Sequence, residues 1–216
     1  MSYYLSSNRH ANSLHGDGVL VQSLVQDSHV DVFKYDPLYP VPSHGGNACC
    51  TANAMKGGSF NQREMEARND ILAYTSETPE AGVEVSGFVE STLYVSSDAK
   101  DTAITIKFDR CYPDGRAYNL DDTIQRLRYR EVYEKEVFME KGQIYQVEMT
   151  PMFTSNFFNK GLRIGVEISS SNFPRFDRNL NTGGNNYDEI DGVIATNGIH
   201  HSSAHPSQIR LPIVSN

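Results

Sequence analysis

The sequence lacks tryptophan, any excess of basic residues and any uncharged run that suits a membrane. Its 216 residues contain 19 Lys and Arg against 27 Asp and Glu, which gives a formal net charge of −8. This charge repels phosphate backbones and anionic lipid heads, so neither nucleic acid nor a membrane surface is an expected partner. The longest uncharged run, residues 37–55, contains three prolines and two glycines and cannot serve as a bilayer span. Residues 1–5 have no basic stretch, which predicts no secretory signal.

Cysteine is also scarce. Cys49, Cys50 and Cys111 are the three cysteines, and an odd number excludes a fully paired disulfide framework. A bridge between adjacent Cys49 and Cys50 would close a strained eight-membered ring. We therefore expect reduced thiols, which favour a reducing compartment such as the cytoplasm. The spacing contains no C-x-x-C motif, so no zinc half-site, redox motif or cofactor is expected.

From residue 71 onward, apolar and polar residues alternate with a period of two, which is typical of half-buried strands. Gly87 interrupts the first run as a bulge or a point of close approach. Turn sequences that end in glycine separate the later runs, and Gly115, Gly142, Gly161 and Gly183 are placed where a positive φ is needed. The runs that predict strands are residues 83–95, 104–109, 145–150, 162–168 and 209–213.

Many short strands without long helical periodicity predict an all-β fold, a two-sheet antiparallel β-sandwich of which the jelly roll is one form. We expect one domain over residues 1–216, in which 71–216 form the main sandwich. Residues 1–70 provide the first strands and an extended Pro- and Gly-rich wrap over its surface. The predicted inner faces contain Val85, Leu93, Ile104, Ile106, Val147, Ile164, Val166 and Ile168.

A catalytic nucleophile is not evident. An α/β-hydrolase places its serine on a G-x-S-x-G turn, and no serine here has glycine at both the second position before and the second position after it. Ser43 has Gly45 but Val41, and Ser59 has Gly57 but Asn61. No local histidine base accompanies a cysteine either. The chain by itself is expected not to hydrolyse esters or peptides.

Two segments have the spacing of cation sites. His200, His201 and His205 could bind a metal from a helix face, but the serines and Pro206 favour a loop with surface or capping histidines. Residues 177–188 place oxygen-bearing side chains as a calcium loop does, yet Thr182 and Asp188 replace the usual glycine and glutamate. The alternative is a long loop whose Asn and Asp side chains satisfy backbone groups.

A row of arginines follows. Arg126, Arg128 and Arg130 alternate with Leu127 and Tyr129, so on a strand all three guanidinium groups would project from one face. Such a row could clamp a carboxylate or pair across a domain interface. The alternative is a solvated face paired with neighbouring acids.

Residues 169–184, SSSNFPRFDRNLNTGG, carry a resemblance to a known family. Further matching motifs are Tyr35-Asp36-Pro37, Pro40-Val41-Pro42, Gly45-Gly46, Asn61-Gln62-Arg63, Val95-Ser96-Ser97-Asp98, Tyr112-Pro113-Asp114-Gly115-Arg116-Ala117, Arg128-Tyr129-Arg130, Thr154-Ser155-Asn156 and His205-Pro206-Ser207. Together they resemble the C-terminal non-catalytic domain of the cocaine esterase and X-Pro dipeptidyl-peptidase family of serine hydrolases.

This resemblance implies a jelly-roll, galactose-binding-like β-sandwich that follows an α/β-hydrolase domain, and in the family that earlier domain holds the whole catalytic triad. The implied partners are that catalytic domain, which this chain does not contain, a small ester or peptide substrate, and a second copy in a homodimer. Hydrophobic residues after the Gly-Gly pair line the acyl pocket in the family's esterases. The corresponding positions here are Cys49 and Cys50, which are the predicted substrate-pocket residues.

Two other functions stay open. A carbohydrate-binding module is compatible with a β-sandwich, although sugar platforms commonly use tryptophan, which the chain lacks; its 12 tyrosines and 10 phenylalanines could substitute. The third possibility is an independent metal-dependent enzyme that uses residues 200–205. The favoured function is the accessory domain of a serine hydrolase.

Overall fold

A computed structural model of the chain describes residues 1–12, 14–24, 26, 29–49 and 55–214. Strands dominate this part of the chain, and its helical structure is limited to the helix α1 (Arg63–Glu66) and a 3₁₀ turn (Leu127–Tyr129). The all-β prediction is therefore confirmed. The strands are β1 (Ser2–Ser6), β2 (Val19–Val21), β3 (His29–Tyr35), β4 (Leu72–Ser76), β5 (Val83–Ser97), β6 (Ala103–Cys111), β7 (Ala117–Arg126), β8 (Tyr145–Glu148), β9 (Met152–Phe158), β10 (Arg163–Ser169), β11 (Ala195–His201) and β12 (Gln208–Arg210).

The strands follow one continuous hydrogen-bonded order, β3-β11-β5-β12-β1-β2-β4-β10-β6-β7, and β8 and β9 also pair with β5. The 15-residue β5 has four partner strands, because it pairs with β9 along Val83–Val89 and with β12, β8 and β11 farther along. Every pair is antiparallel except β2 and β4, which run parallel. The prediction of purely antiparallel sheets is wrong at this one pair.

The core lies between strands from opposite ends of that order. Phe33 of β3 and Phe108 of β6 belong to one cluster of buried hydrophobic side chains, so the strands fold over on themselves. This enclosure agrees with a β-sandwich, while jelly-roll connectivity stays a prediction. All eight predicted inner-face residues are at most 1% exposed, which confirms the assignment of the faces. No helix in the described part of the chain is long and apolar enough to cross a membrane.

Glycine conformations agree with the predicted turns. Gly115, Gly142, Gly161 and Gly183 have φ of 84°, 77°, 94° and 79°. Gly87 also has a positive φ, of 133°, but the register between β5 and β9 continues through it without a shift. A Cβ atom at Gly87 would lie 3.1 Å from the Pro212 side chain. Gly87 therefore marks a close approach and not a bulge.

The outer face of β6 and β10 is buried as well. We term residues 36–70 the wrap segment, and its described parts cover this face, where Gln62 accepts a hydrogen bond from Lys107 of β6. Backbone bridges join Pro42 to Phe173 and Asn61 to Tyr118. The contacts leave β6 buried on both faces, although one of those faces is polar. A polar face under a covering segment must find its partners inside the protein.

Replacing Val166 by aspartate tests the inner-face assignment. Val166 is 1% exposed in β10, so Val166→Asp would bury an unpaired charge and lower the free energy of unfolding by about 3–5 kcal/mol. Val132→Asp is the matched control, because Val132 is 48% exposed and should change stability by less than about 0.5 kcal/mol. Urea unfolding measures both values. Equal stability of the two variants would contradict the assignment.

Candidate functional site

The predicted pocket residue Cys49 lies in the wrap segment and is exposed to solvent. Cys49 is disulfide-bonded whereas Cys111 is a free, buried thiol. The expectation of three reduced thiols is therefore wrong for Cys49. The cysteines then no longer favour a reducing compartment. Cys50 lies outside the described residues.

Three glycines shape the loop that carries Cys49. Gly46 and Gly58 exchange backbone hydrogen bonds, with N···O distances of 2.8 and 2.9 Å, and so close the loop at its base. Gly45 has φ of 83°, and a Cβ atom there would lie 2.4 Å from the Gly58 carbonyl oxygen. A side chain at residue 45 would therefore force the base of the loop open.

Side chains of β7 attach this loop to the sheet. Asn47 donates a hydrogen bond from Nδ2 to Asp121 Oδ1, and the other oxygen of Asp121 accepts the Phe153 backbone N–H at 2.9 Å. Asn119 Oδ1 accepts the Phe60 backbone N–H at 2.7 Å on the far side of the loop. Asp121 thereby connects the segment that holds Cys49 to the start of β9.

An aromatic surface lies on the outer face of β5 and β9. Phe88 and Phe153 are opposite each other in the ladder and are 68% and 64% exposed. Ser86 and Ser155 form the next outward pair, with their hydroxyl oxygens 2.9 Å apart, and Phe157 follows at 49% exposure. We call Phe88, Phe153 and Phe157 the aromatic face. Large exposed aromatic side chains on neighbouring strands are typical of a surface that contacts another protein unit.

The sequence contains one signal for this surface. Phe88 occupies a position of β5 whose other outward residues are Glu84, Ser86, Glu90 and Thr92, so a phenylalanine there is out of place on a solvated face. Pairing with Phe153 depends on the register between β5 and β9, which the sequence alone does not define.

Beneath the wrap segment, the polar face of β6 and β10 forms a buried ionic cluster. Lys107 Nζ lies 3.1 Å from Glu167 Oε2 and donates a hydrogen bond of 2.9 Å to Gln62 Oε1 of the wrap segment. Asp109 is buried nearby, and burial together with Glu167 raises its pKa well above the ordinary value, despite the opposing charge of Lys107. The cluster also affects Glu66 of α1, because burial and then the negative charge of Glu167 raise the pKa of Glu66 to about 7.

A serine, a histidine and an aspartate meet elsewhere in the interior. Asp31 Oδ2 lies 2.6 Å from Ser7 Oγ, 2.9 Å from His201 Nε2 and 2.7 Å from Tyr74 OH. Burial acts to raise the pKa of Asp31, but the hydrogen bonds from His201, Ser7 and Tyr74 outweigh it and the pKa is lowered. The sequence signal for this cluster is Asp31, a charged residue at an inward position of β3.

This cluster does not have the geometry of a catalytic triad. A triad needs the aspartate on Nδ1 of the histidine and the serine on Nε2. Here both partners face the same atom, since Ser7 Oγ is 3.3 Å from His201 Nε2. Ser7, Asp31 and His201 are also at most 5% exposed, so a substrate cannot reach them. The three residues fasten the chain between β1 and β2 to the core.

The arginine row is not present. β7 ends at Arg126, and the following 3₁₀ turn directs successive side chains about 120° apart instead of onto one face. Arg128 is buried against Asp101 and Glu136 at 2.8 and 3.0 Å, while Arg130 donates to the Val137 carbonyl at 2.6 Å. The strand ends at Arg126, so the three side chains do not share a face; Arg128 pairs with neighbouring acids, as in the alternative, but it is buried and not solvated.

The two cation-site hypotheses gain no support. His200 and His201 belong to β11, so the predicted loop is wrong for them and is limited to the turn before Pro206. In the calcium-like segment, Asn179 Nδ2 donates to Asp101 and Asn181 Nδ2 donates to the Val193 carbonyl at 2.6 Å. Within the described ranges, no group of three or more His, Cys, Asp and Glu side chains is arranged to hold a metal ion.

Comparison with known proteins finds a family that matches nearly the whole chain. Residues 1–210 match the family described as X-Pro dipeptidyl-peptidase C-terminal non-catalytic domain. The chain is 42% identical to cocaine esterase from Rhodococcus sp. strain MB1 Bresler over 98% of its own length, and it spans 37% of the length of that protein.

Two solved structures share the fold. An aminopeptidase from the marine sediment archaeon Thaumarchaeota archaeon has a TM-score of 0.85 and 22% identity. An α-amino acid ester hydrolase has a TM-score of 0.83 and 22% identity. Each comparison covers 99% of this chain and 36% of the other. The chain thus spans little more than one third of the length of these relatives.

Replacing Glu66 by glutamine tests the electrostatics under the wrap segment. The pKa of Glu66 is about 7 in the folded chain against an ordinary value of 4.5, so ionisation of Glu66 destabilises the fold as pH rises through this interval. Glu66→Gln cannot ionise, and we expect its free energy of unfolding to exceed that of the wild type by about 1–3 kcal/mol at pH 8. Near pH 4.5 the difference should be small.

Glu64→Gln is the matched control, since Glu64 is an exposed residue of the same helix. Urea unfolding of the wild type and both variants at several pH values measures the effect. A Glu66→Gln gain that did not depend on pH would show that Glu66 ionises normally.

Proposed function

The chain belongs to the family of X-Pro dipeptidyl-peptidase C-terminal non-catalytic domains, and from this premise we propose a specific role for it. Residues 1–216 form a single accessory domain that supports the α/β-hydrolase catalytic domain of a serine hydrolase and forms part of its substrate pocket. The substrate is a small ester or peptide. The observation that carries the proposal is the aromatic face beside the loop of Cys49.

The catalytic domain is the proposed occupant of the aromatic face. The relatives are about three times as long as the matched segment, so each contains a large additional part that such a surface can contact. Phe88 and Phe153 would lose their solvent exposure in that contact, and burial of a phenylalanine contributes about 1.5–3 kcal/mol. A folded chain that exposes this much aromatic surface on adjacent strands gains stability from being covered.

The chemistry must come from that other domain. Ser7, His201 and Asp31 are buried in a structural cluster, and the sequence has no G-x-S-x-G turn. A nucleophile, its base and the donors that stabilise an oxyanion are needed for acyl transfer. The contribution of this domain is therefore to position the substrate and to exclude water from the pocket.

Cys49 and Cys50 are the proposed pocket wall. Cys49 is exposed on a loop whose base and sides are held by Gly46, Gly58 and Asp121, and Asp121 also holds Phe153. This connection would bring Cys49 to the edge of the covered surface, where a pocket between two domains forms. Sulfur is polarizable and the side chain is small, so the wall would favour apolar acyl groups without imposing a strict shape.

Removing the aromatic face tests the contact between domains. In the parent hydrolase, Phe88→Ser combined with Phe153→Ser should lower the free energy of unfolding by about 1.5–3 kcal/mol for each phenylalanine. In the 216-residue chain alone the same pair should change stability little, because both side chains are already exposed. Thermal inactivation of the hydrolase and melting of the isolated chain measure the two effects. Unchanged inactivation of the double variant would exclude this face as the contact.

Enlarging the pocket wall tests the second part of the proposal. Cys50→Phe in the parent hydrolase should change the relative kcat/KM between substrates of different acyl size by about 1–3 kcal/mol, the effect expected for an altered pocket volume. Val19→Phe is the control, since Val19 is 42% exposed on β2, four strands from β7 in the hydrogen-bonded order. An unchanged specificity profile for Cys50→Phe would remove Cys50 from the pocket.

Homodimer formation and a carbohydrate-binding function stay predictions. A glycan array with the 216-residue chain distinguishes the carbohydrate alternative, because an accessory domain of a hydrolase should bind no glycan there. The relatives named above carry the names of hydrolases and support the first function.

A further inference from the structure

A small cavity, about 100 Å³ in volume, lies apart from the loop of Cys49 and from the aromatic face. Arg63 and Glu66 of α1 line one side, Arg163 at the start of β10 lines another, and Cys111 and Thr75 contribute from β6 and β4. A water molecule occupies about 30 Å³ in the liquid, so the cavity has room for one compact ligand.

Neither arginine of this cavity forms an ion pair with a described residue, although the charges of both act to lower the pKa of Glu66. Among the ion pairs of the described residues, none includes Arg63 or Arg163. Among the described residues, the Arg63 side chain makes one long hydrogen bond, 3.4 Å from Nη1 to the Asp114 carbonyl oxygen, and the side chains of Arg63 and Arg163 are both partly buried. A guanidinium group that is partly removed from water gains most from a planar or tetrahedral oxyanion, which can accept two of its N–H groups at once.

The absence of a side chain at Gly115 leaves room for the Arg63 guanidinium group. A Cβ atom at Gly115 would lie 1.7 Å from Arg63 Nη1, so any side chain at residue 115 would displace the guanidinium group. Gly115 also has a positive φ of 84°, which disfavours other residues there. The turn after β6 therefore leaves space for the Arg63 guanidinium group beside the cavity.

The charges beneath the cavity do not cancel the two arginines. Lys107 is paired with Glu167, and burial together with Glu167 raises the pKa of Asp109 well above its ordinary value. Among the described residues, Glu66 is the one carboxyl group that lines the cavity itself, and its pKa of about 7 leaves it partly protonated near neutrality. Two full positive charges therefore face at most one negative charge.

The surroundings limit the size of the ligand. An adjoining groove shares Arg163, Thr75 and Leu14 with the cavity, and Asp17 and Glu77 line that groove farther out. An extended anion with charged groups at both ends would meet these like charges. We propose that Arg63 and Arg163 bind one small oxyanion, a carboxylate or an inorganic phosphate, in this cavity.

Calorimetric titration tests the site directly. Sodium acetate and sodium phosphate are titrated separately into the 216-residue chain, with ionic strength held constant by sodium chloride. We expect saturable binding of at least one anion. Tighter binding of acetate would identify a planar oxyanion as the preferred ligand, and tighter binding of phosphate would identify a tetrahedral one. Arg163→Gln should weaken that binding at least tenfold, and Glu66→Gln should strengthen it because the opposing carboxyl group is removed.

Arg210→Gln is the control, since Arg210 is an exposed arginine that pairs with Glu90 and does not line the cavity. Its strand, β12, is four strands from β10 in the hydrogen-bonded order. Arg210→Gln should bind as the wild type does. If Arg163→Gln does not fold, Arg63→Gln takes its place, because Arg63 lies on a short surface helix. Heats that never saturate, or equal affinities for the wild type and the folded arginine variant, would overturn the proposal. The test is independent of the accessory-domain function, because it requires no catalytic domain.

Discussion

The buried ion pair between Lys107 and Glu167 is the interaction on which the arrangement of the molecule depends. Both residues lie on the face of β6 and β10 that points away from the hydrophobic core, and both are almost completely removed from solvent. Burying two charges costs several kcal/mol each unless the pair is well placed and has further hydrogen bonds. Gln62 of the wrap segment supplies one of these bonds, so the pair and the covering segment stabilise each other.

Other buried carboxylates attach long irregular segments to the sheet in the same manner. Asp101 accepts hydrogen bonds from Arg128 and from Asn179, and so holds the 3₁₀ turn and the loop after β10 together. Asp122 binds Arg175 and Asn172, and Asp31 binds Ser7 and His201. An aspartate can accept several N–H or O–H groups at once, which suits a position where several loops meet. These irregular segments are therefore held to the sheet by buried side-chain contacts.

The proposed contact surface follows from this attachment. Asp121 joins the loop of Cys49 to the start of β9, and β9 carries Phe153 of the aromatic face. A pocket wall needs a fixed position relative to the domain it contacts, because a displacement of about 1 Å can cost much of the catalytic rate. The polar contacts position the loop, and the exposed phenylalanines offer the apolar area that would bind the second domain.

The sequence alone indicated the all-β class, five of the twelve strands that the structure describes, with their buried faces, and the family. Alternation with a period of two is a local property, so the pattern by itself assigns residues such as Val85, Ile106 and Val166 to the core. Glycines at turns are also local, because a positive φ is a property of one residue. The family depends on motifs spread along the chain, and these can be matched without knowing where they lie in space.

Only the tertiary structure decided which residues meet across long stretches of sequence. Ser7 and His201 are 194 residues apart, and Phe88 faces Phe153 only because β5 and β9 pair in one register. The arginine row shows the same limit: Arg128 leaves its expected face because Asp101, 27 residues earlier, binds it in a 3₁₀ turn. Arg63 of α1 and Arg163 of β10 likewise line one cavity although they are 100 residues apart in the sequence. Contacts of this kind are set by the packing of the whole chain, which no local pattern contains.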